Sequence, residues 1–378
     1  MKLTLPIGRV VMAMSEVKWC SRCVMNNAAD ETIRFDKDGV CNYCTDALRT
    51  ASSVYHPGKD GEQRLDSLVE HLKEKGVGKR YDCIMGLSGG LDSSYLAYLG
   101  AEKWGLRIAA VHIDDGYDTE ISTANIAKLC DRAGIELVTI APDKEQFNAL
   151  TLAYMKAGVP NIAVPQDNIL FSALYSYARR EGISTFLSGG NFSLECILQN
   201  GNTWDAYDLV NLRDISRRFN DQPTDKLSFL SHYRKQWDRR ILGQETLRPL
   251  NLIDYRRDSA FAELKEYCGF EYYGRKHLEN YLTAFAQLCW LPEKFGVDKR
   301  TSHLSSMIIS GQMSREEALR ELEEPLCSSE YMEKVKHLLC ENMQITRKEL
   351  EALVAGPGHQ HDEYRTDPLL RLRKRIAG

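Results

Sequence analysis

From Tyr81 onward, short continuous apolar runs alternate with longer amphipathic stretches. Cys83–Leu87, Ile108–Ile113, Glu136–Ile140 and Thr185–Leu187 read as strands, and Asn125–Arg132 and Ile169–Arg180 are the clearest helices between them. An uninterrupted apolar strand is buried on both faces. The alternation therefore predicts an α/β fold, a doubly wound parallel sheet with helices on both sides. Upstream, Leu65, Leu68, Val69 and Leu72 recur at helical spacing and predict a helix leading into this core. Downstream, Ser259–Tyr267 reads as a closing helix. Ser314-Arg-Glu-Glu317 and Thr346-Arg-Lys-Glu349 are capping boxes that mark helix starts in a C-terminal helical region. Residues 197–247 show no clean period and are rich in Asn, Asp, Arg and aromatics. So long a connection reads as a lid or part of an acceptor pocket. The pattern divides the chain into 15–60, 61–270 and 271–378, with residues 1–13 set aside as an extension before Met14.

The net charge of −4 argues against a protein that tracks a nucleic-acid backbone. No apolar run is long enough to span a bilayer, and the first residues lack a signal-peptide core, so no membrane role is expected. Eleven cysteines, four of them in two CxxC pairs and the rest single, suit a reducing, cytoplasmic setting better than a disulfide framework.

The pairs are Cys20-Ser-Arg-Cys23 and Cys41-Asn-Tyr-Cys44. Their separation fits a tetrahedral zinc site, and the turn at Asp36-Lys-Asp-Gly39 lets the second pair fold back on the first. Four thiolates leave no open coordination position, so Zn2+ held by Cys20, Cys23, Cys41 and Cys44 is expected to be structural. An iron–sulfur cluster, a redox dithiol and unliganded thiols are the alternatives.

Between the first strand and its helix lies Ser88-Gly89-Gly90-Leu91-Asp92-Ser93-Ser94. A strand, a tight glycine turn and a helix N-terminus make an anion site: glycine permits close backbone approach and the first helical N–H groups are unsatisfied. It is no Walker A loop, because no lysine stands at the helix start. It resembles the SGGxDS loop of the N-type ATP pyrophosphatases, the PP-loop group. That resemblance implies cleavage of ATP to AMP and pyrophosphate, with Ser88, Gly89, Gly90, Leu91, Asp92, Ser93 and Ser94 around the departing pyrophosphate.

Three further strand or helix ends are candidates, since ligands of such sheets bind at the carboxyl ends of the strands. His112-Ile113-Asp114-Asp115-Gly116 closes strand two; in PP-loop proteins that end lines the adenine and ribose pocket, which implies His112 and Asp114, although an acidic turn is also a plain turn. Ser188-Gly189-Gly190-Asn191 closes strand four and looks like the glycine turn of NAD synthetase-like enzymes, which implies Gly189 and Asn191; Glu195 stands one residue off the expected spacing. Asp167 or Asn168 is an N-cap or a substrate contact. In Glu293–His303, a basic turn places Lys299 and Arg300 to reach back over phosphates, and His303 reads as a base, a phosphate donor or a structural histidine.

The knuckle, the Ser88–Ser94 loop, His112-Ile-Asp-Asp-Gly116 and the segment Lys294–Ala318 occur in order. Together they resemble the N-acetyl sugar amidotransferases of the WbpG/PseA type, from bacterial surface-polysaccharide and flagellin-sugar synthesis. The resemblance implies that an acetamido oxygen of a nucleotide-linked sugar attacks the α-phosphorus of ATP. Ammonia then displaces AMP to leave an acetamidino group. It implies Mg2+, catalytic roles for Ser88, Asp92, Ser93, Lys299 and Arg300, and ammonia from partners resembling the glutaminase and cyclase subunits of imidazole glycerol phosphate synthase. The rival readings are a tRNA thiolase using Cys130 and Cys196, and a non-catalytic nucleotide sensor.

Overall fold

The computed structural model describes residues 17–370; the expected extension at residues 1–13 lies outside the described residues. Helices α1 (Asn42–Val54) and α2 (Lys59–Lys75) precede the sheet. The core then runs β1 (Cys83–Gly86), α3 (Leu91–Tyr98), β2 (Ile108–Ile113), α4 (Glu120–Ala133), β3 (Glu136–Ile140), α5 (Lys144–Ala157), α6 (Val164–Glu181) and β4 (Thr185–Leu187). It continues through α7 (Phe192–Glu195), α8 (Leu209–Phe219), α9 (His232–Ile241), β5 (Glu245–Leu247) and α10 (Arg257–Cys268). Helix α11 (Tyr281–Phe285) passes into π-helical turns, followed by α12 (Arg300–Ile309), α13 (Arg315–Glu323), α14 (Ser329–Met343) and α15 (Arg347–Ala355). Among the described residues, no helix is long and apolar enough to cross a membrane.

The sheet is fully parallel in the order β3-β2-β1-β4-β5. Crossovers run one way from β1 through β3 and the other way through β4 and β5. The exits of β1 and β4 therefore flank the reversal of strand order, where an open α/β sheet leaves a crevice.

The structure adds elements within residues 197–247, which sequence reading left irregular. Strand β5 pairs with β4, α8 packs against α5, and α9 is tied to α6 by the Arg179–Asp238 ion pair. Asn168 fixes this segment: its Nδ2 donates to Ala206 O and Leu230 O, and its Oδ1 accepts from the Leu230 N–H. Asn168 and Asp167 lie inside α6, whose N-cap is Ala163 with Pro165 in the first turn, so neither is the cap.

Residues from Glu271 onward share cores with the sheet region. Leu282, Trp290 and Leu339 pack with Phe147 and Tyr154, and Leu304 and Met307 of α12 pack with Leu91 and Leu96. Both predicted capping boxes form, at the starts of α13 and α15.

Candidate active site

The loop after β1 is held open by backbone geometry. Gly89 has φ +73°, and a Cβ there would lie 2.4 Å from Ser122 O, so only glycine fits. Gly90 is the N-cap of α3 and, being glycine, offers no capping side chain of its own. Ser88 Oγ accepts from the Gly90 N–H at 3.2 Å and lies 3.2 Å from Ser93 Oγ. Ser94 is fully buried, and its Oγ has no hydrogen-bond partner among the described residues. The second glycine turn, after β4, packs against the first. A Cβ at Gly189 would meet the Ser93 amide nitrogen at 3.0 Å. The two turns thus form one cradle with backbone N–H groups and hydroxyls at its centre.

Asp92 sits at the base of that cradle. It accepts from the Tyr255 hydroxyl, and its other oxygen is 2.9 Å from Lys276 Nζ. The same ammonium lies 2.9 Å from Glu195 Oε1. Burial opposes a charge on Lys276, but Asp92 and Glu195 outweigh it and push its pKa up. Burial likewise opposes the Glu195 carboxylate, and Lys276 outweighs it and pulls its pKa down. A neighbouring segment covers the helix start: the Leu91 N–H donates to Tyr273 Oη at 2.9 Å. Tyr273 and Lys276 were not found from the sequence. Lys276 lies 184 residues from Asp92, and no local pattern marks such a pairing.

Two cavities meet at this loop. One, of 460 Å³, runs along the sheet edge and includes His112, Ser88, Gly189 and Arg248. The other, of 710 Å³, is walled by α7, α10 and α12 and includes Leu91, Glu195, Lys276, Lys299 and His303.

The expected residues fall unevenly between them. His112 lines the sheet-edge cavity, with Nδ1 2.9 Å from Leu87 O and Nε2 3.2 Å from Asp118. Burial disfavours its charge, but Asp118 outweighs this and raises its pKa. Asp114 does not face the cavity: it is exposed and its Oδ1 accepts from the Gly116 N–H. Its neighbour Asp115 faces inward, accepting from Gln166 and from Asn280 Nδ2. Burial, reinforced by Asp118, pushes the Asp115 carboxyl up to about 6. Asn191 turns away as well. It caps α7 through the Leu194 N–H and closes its own turn on Gly189 O.

Lys299 and His303 line the larger cavity. Burial pushes the Lys299 ammonium down to about 8. His303 is held well below the usual histidine range, first by burial and then by Lys276, His277 and Arg257, and its Nδ1 has no hydrogen-bond partner among the described residues. Arg300 differs from expectation. Its guanidinium is bidentate on Asp298 and donates to the carbonyls of Glu321, Leu322 and Glu324. It ties the end of α13 to α12, which leaves no free fork for a phosphate. Cys130 and Cys196 line neither cavity, and burial raises each thiol to about 11.

The four knuckle cysteines converge. Their Sγ atoms all lie within 4.8 Å of one another, with Cys20–Cys44 at 3.9 Å and Cys23–Cys41 at 3.8 Å. Thiolates around one zinc at a Zn–S distance of about 2.3 Å stand about 3.8 Å apart, so the set fits a single tetrahedral ion and is too tight for a cluster. Backbone N–H groups of Cys41 and Cys44 point at Cys20 Sγ and Cys41 Sγ. The knuckle also braces the larger cavity. The Val24 N–H donates to Ser305 Oγ on α12, and Arg315 donates to the carbonyls of Cys20 and Cys23.

Comparison with known proteins agrees with this architecture. Residues 279–377 match the family described as LPS biosynthesis protein WbpG-like, C-terminal domain. Residues 82–193 match the queuosine biosynthesis protein QueC family, which is of the PP-loop type. A GMP synthase [glutamine-hydrolyzing] from Pyrobaculum aerophilum is 35% identical over 96 residues, covering 25% of this chain and 18% of that protein. One from Chlamydia caviae is 31% identical over 84 residues, covering 22% and 16%. The chain thus spans less than a fifth of the length of these curated relatives. The solved NMN synthetase from Francisella tularensis is 15% identical with a TM-score of 0.35, covering 74% of this chain and 93% of its own. The chain thus matches a PP-loop family over residues 82–193 and a WbpG-like C-terminal domain over residues 279–377, in keeping with its loop and strand order.

Proposed function

We propose that this protein is an ATP-dependent amidotransferase that converts the acetamido group of a nucleotide-linked sugar to an acetamidino group. The observation that carries the reading is the cradle of two glycine turns between two cavities, one at the sheet edge and one lined by Lys276, Lys299 and His303. ATP laid across it would put adenosine at the β2 end and its terminal phosphates at the start of α3.

In this reading the acetamido oxygen attacks the α-phosphorus, and the bond to the bridging oxygen of pyrophosphate breaks. The products are an O-adenylyl imidate, pyrophosphate and a proton from the amide nitrogen. Ammonia then adds to the imidate carbon and AMP leaves with the former amide oxygen, giving the amidine. An amide carbon is a poor electrophile, and adenylation supplies its leaving group. The protein's part is positioning and charge stabilisation. The α3 N–H groups and the hydroxyls of Ser88 and Ser93 hold the pyrophosphate, Tyr273 yields the Leu91 N–H to it, and the buried Ser94 hydroxyl stays behind the loop. Lys276 and Lys299 add positive charge on the α12 side.

Asp92 and Glu195 are the residues that would hold magnesium. Their oxygens converge on one point, now taken by Lys276 Nζ, and an all-oxygen donor set suits a hard cation. When bound, magnesium neutralises charge on the phosphates. The knuckle cysteines would hold zinc as a structural brace. Ammonia would come from a separate glutaminase partner.

The test is to incubate the protein with ATP, an ammonium salt and UDP-linked acetamido sugars, then weigh the sugar. The proposal expects AMP together with a product lighter by the difference between O and NH. ATP breakdown with no change in any acetamido sugar would count against it.

A further inference from the structure

The sheet-edge cavity has ends of opposite character. Its β2 end carries Asp115 and Asp118 with the amides of Gln166 and Asn280. Its β5 end carries Lys235 from α9 and Arg248 just beyond β5. Neither cation forms an ion pair or a hydrogen bond with another described residue. Lys235 Nζ stands 3.9 Å from the centre of the Tyr207 ring, which packs on Phe171 with centroids 5.5 Å apart. Arg248 lies across the second glycine turn, its Nε 3.8 Å from where a Gly190 Cβ would be. Burial lowers the Lys235 pKa; Asp205 works against this, and the like charge of Arg248 adds to it. Asp167 and Glu279 also line the cavity, but Lys235 and the exposed Arg248 leave their donors free for an anion at the β5 end.

ATP does not need these groups in the reading above. Its pyrophosphate lies at α3 and its adenosine toward β2. In-line displacement at the α-phosphorus brings the attacking group in opposite the leaving pyrophosphate. Lys235 and Arg248 line the same cavity on its β5 side, beyond the second glycine turn. We propose that Lys235 and Arg248 bind the diphosphate of a nucleoside diphosphate-linked acceptor, with Tyr207 and Phe171 offering a stacking face to its base. This assignment rests on the reading that the Ser88–Ser94 loop holds the pyrophosphate of ATP.

UDP serves as the probe, titrated calorimetrically into the full chain saturated with α,β-methylene-ATP. Lys235→Met and Arg248→Gln are each expected to weaken UDP about tenfold or more, with Arg248→Lys recovering part of the loss. Affinity for α,β-methylene-ATP, measured separately, should change by less than about twofold, since neither cation touches it in this assignment. Neither side chain holds a hydrogen bond in the protein, so melting temperatures should match the parent. Unchanged UDP binding in both variants would overturn the assignment. So would an equal loss for α,β-methylene-ATP, which would give the cations to the phosphates of ATP itself. Inorganic pyrophosphate binding as tightly as UDP would remove the nucleoside from the assignment. Failure of the parent protein to bind α,β-methylene-ATP is seen without any variant, and it would bring down the reading of the loop and this assignment with it.

Discussion

The two cavities beside the Ser88–Ser94 loop are built by different means. The sheet-edge cavity is made by strand exits that are consecutive in the fold's logic: β1, β2, β4 and β5 deliver Ser88, His112, Gly189 and Arg248 to one rim. The larger cavity is made by distant segments brought together, with α7, α10, the turn around Lys276 and α12 leaning on the cysteine knuckle. The first depends on the sheet; the second depends on the bracing of α12. Damage to the brace should therefore separate the two.

Cys41→Ser is the largest expected effect. A four-thiolate site that loses one ligand loses its metal and the folding energy coupled to it. The variant should contain no zinc by elemental analysis, melt about 5–10 °C lower and lose turnover. Affinity for adenosine, which needs only the sheet-edge cavity, should outlast turnover; equal loss of both would erase the distinction between the cavities.

Gly89→Ala comes next. Its Cβ would strike Ser122 O in a left-handed backbone, so kcat/KM should fall about 100-fold or more. Gly189→Ala, with contacts at 3.0–3.2 Å, should lose less. A reversal of that order in steady-state kinetics would place the critical turn after β4.

Much of the sheet-edge side was legible in the sequence, and less of the other. Apolar runs marked β1, β2 and β4 because a strand buried on both faces has few polar positions, whereas β3 is an edge strand that stays partly exposed. Strand β5 is only Glu245-Thr-Leu247 and exists through pairing with β4, so no local run betrays it. Asp114 and Asp115 could not be told apart because the turn beyond β2 breaks strand alternation. Backbone N–H groups of Gly116 and Tyr117 fix one acid outward and one inward. Asn191 and Arg300 looked like ligands by residue type, yet each is satisfied inside the protein, as a helix cap and as a clamp on α13. Lys276 reaches Asp92 through tertiary structure alone.

A pH dependence distinguishes the cavities more finely. Lys299 is charged below about 8 and neutral above it, so it attracts anions only on the acid side of that value. Inhibition by pyrophosphate should weaken above pH 8, approaching tenfold per pH unit. Lys299→Arg, which stays charged, should flatten the profile. An identical profile in the arginine variant would remove Lys299 from the anion's surroundings.

The smallest effect concerns Tyr273→Phe, which frees the Leu91 N–H. Pyrophosphate should bind a few-fold more tightly, on the order of 1 kcal/mol or less, by competition binding. Weaker binding would mean that the hydroxyl is itself a ligand of the anion.

The central claim is that the cradle after β1 grips the pyrophosphate of a nucleotide cut between its α- and β-phosphorus atoms. The most direct test is the phosphorus NMR spectrum of ATP turned over with an ammonium salt and UDP-linked acetamido sugars. The account predicts AMP and pyrophosphate in equal amounts; ADP and orthophosphate would contradict it.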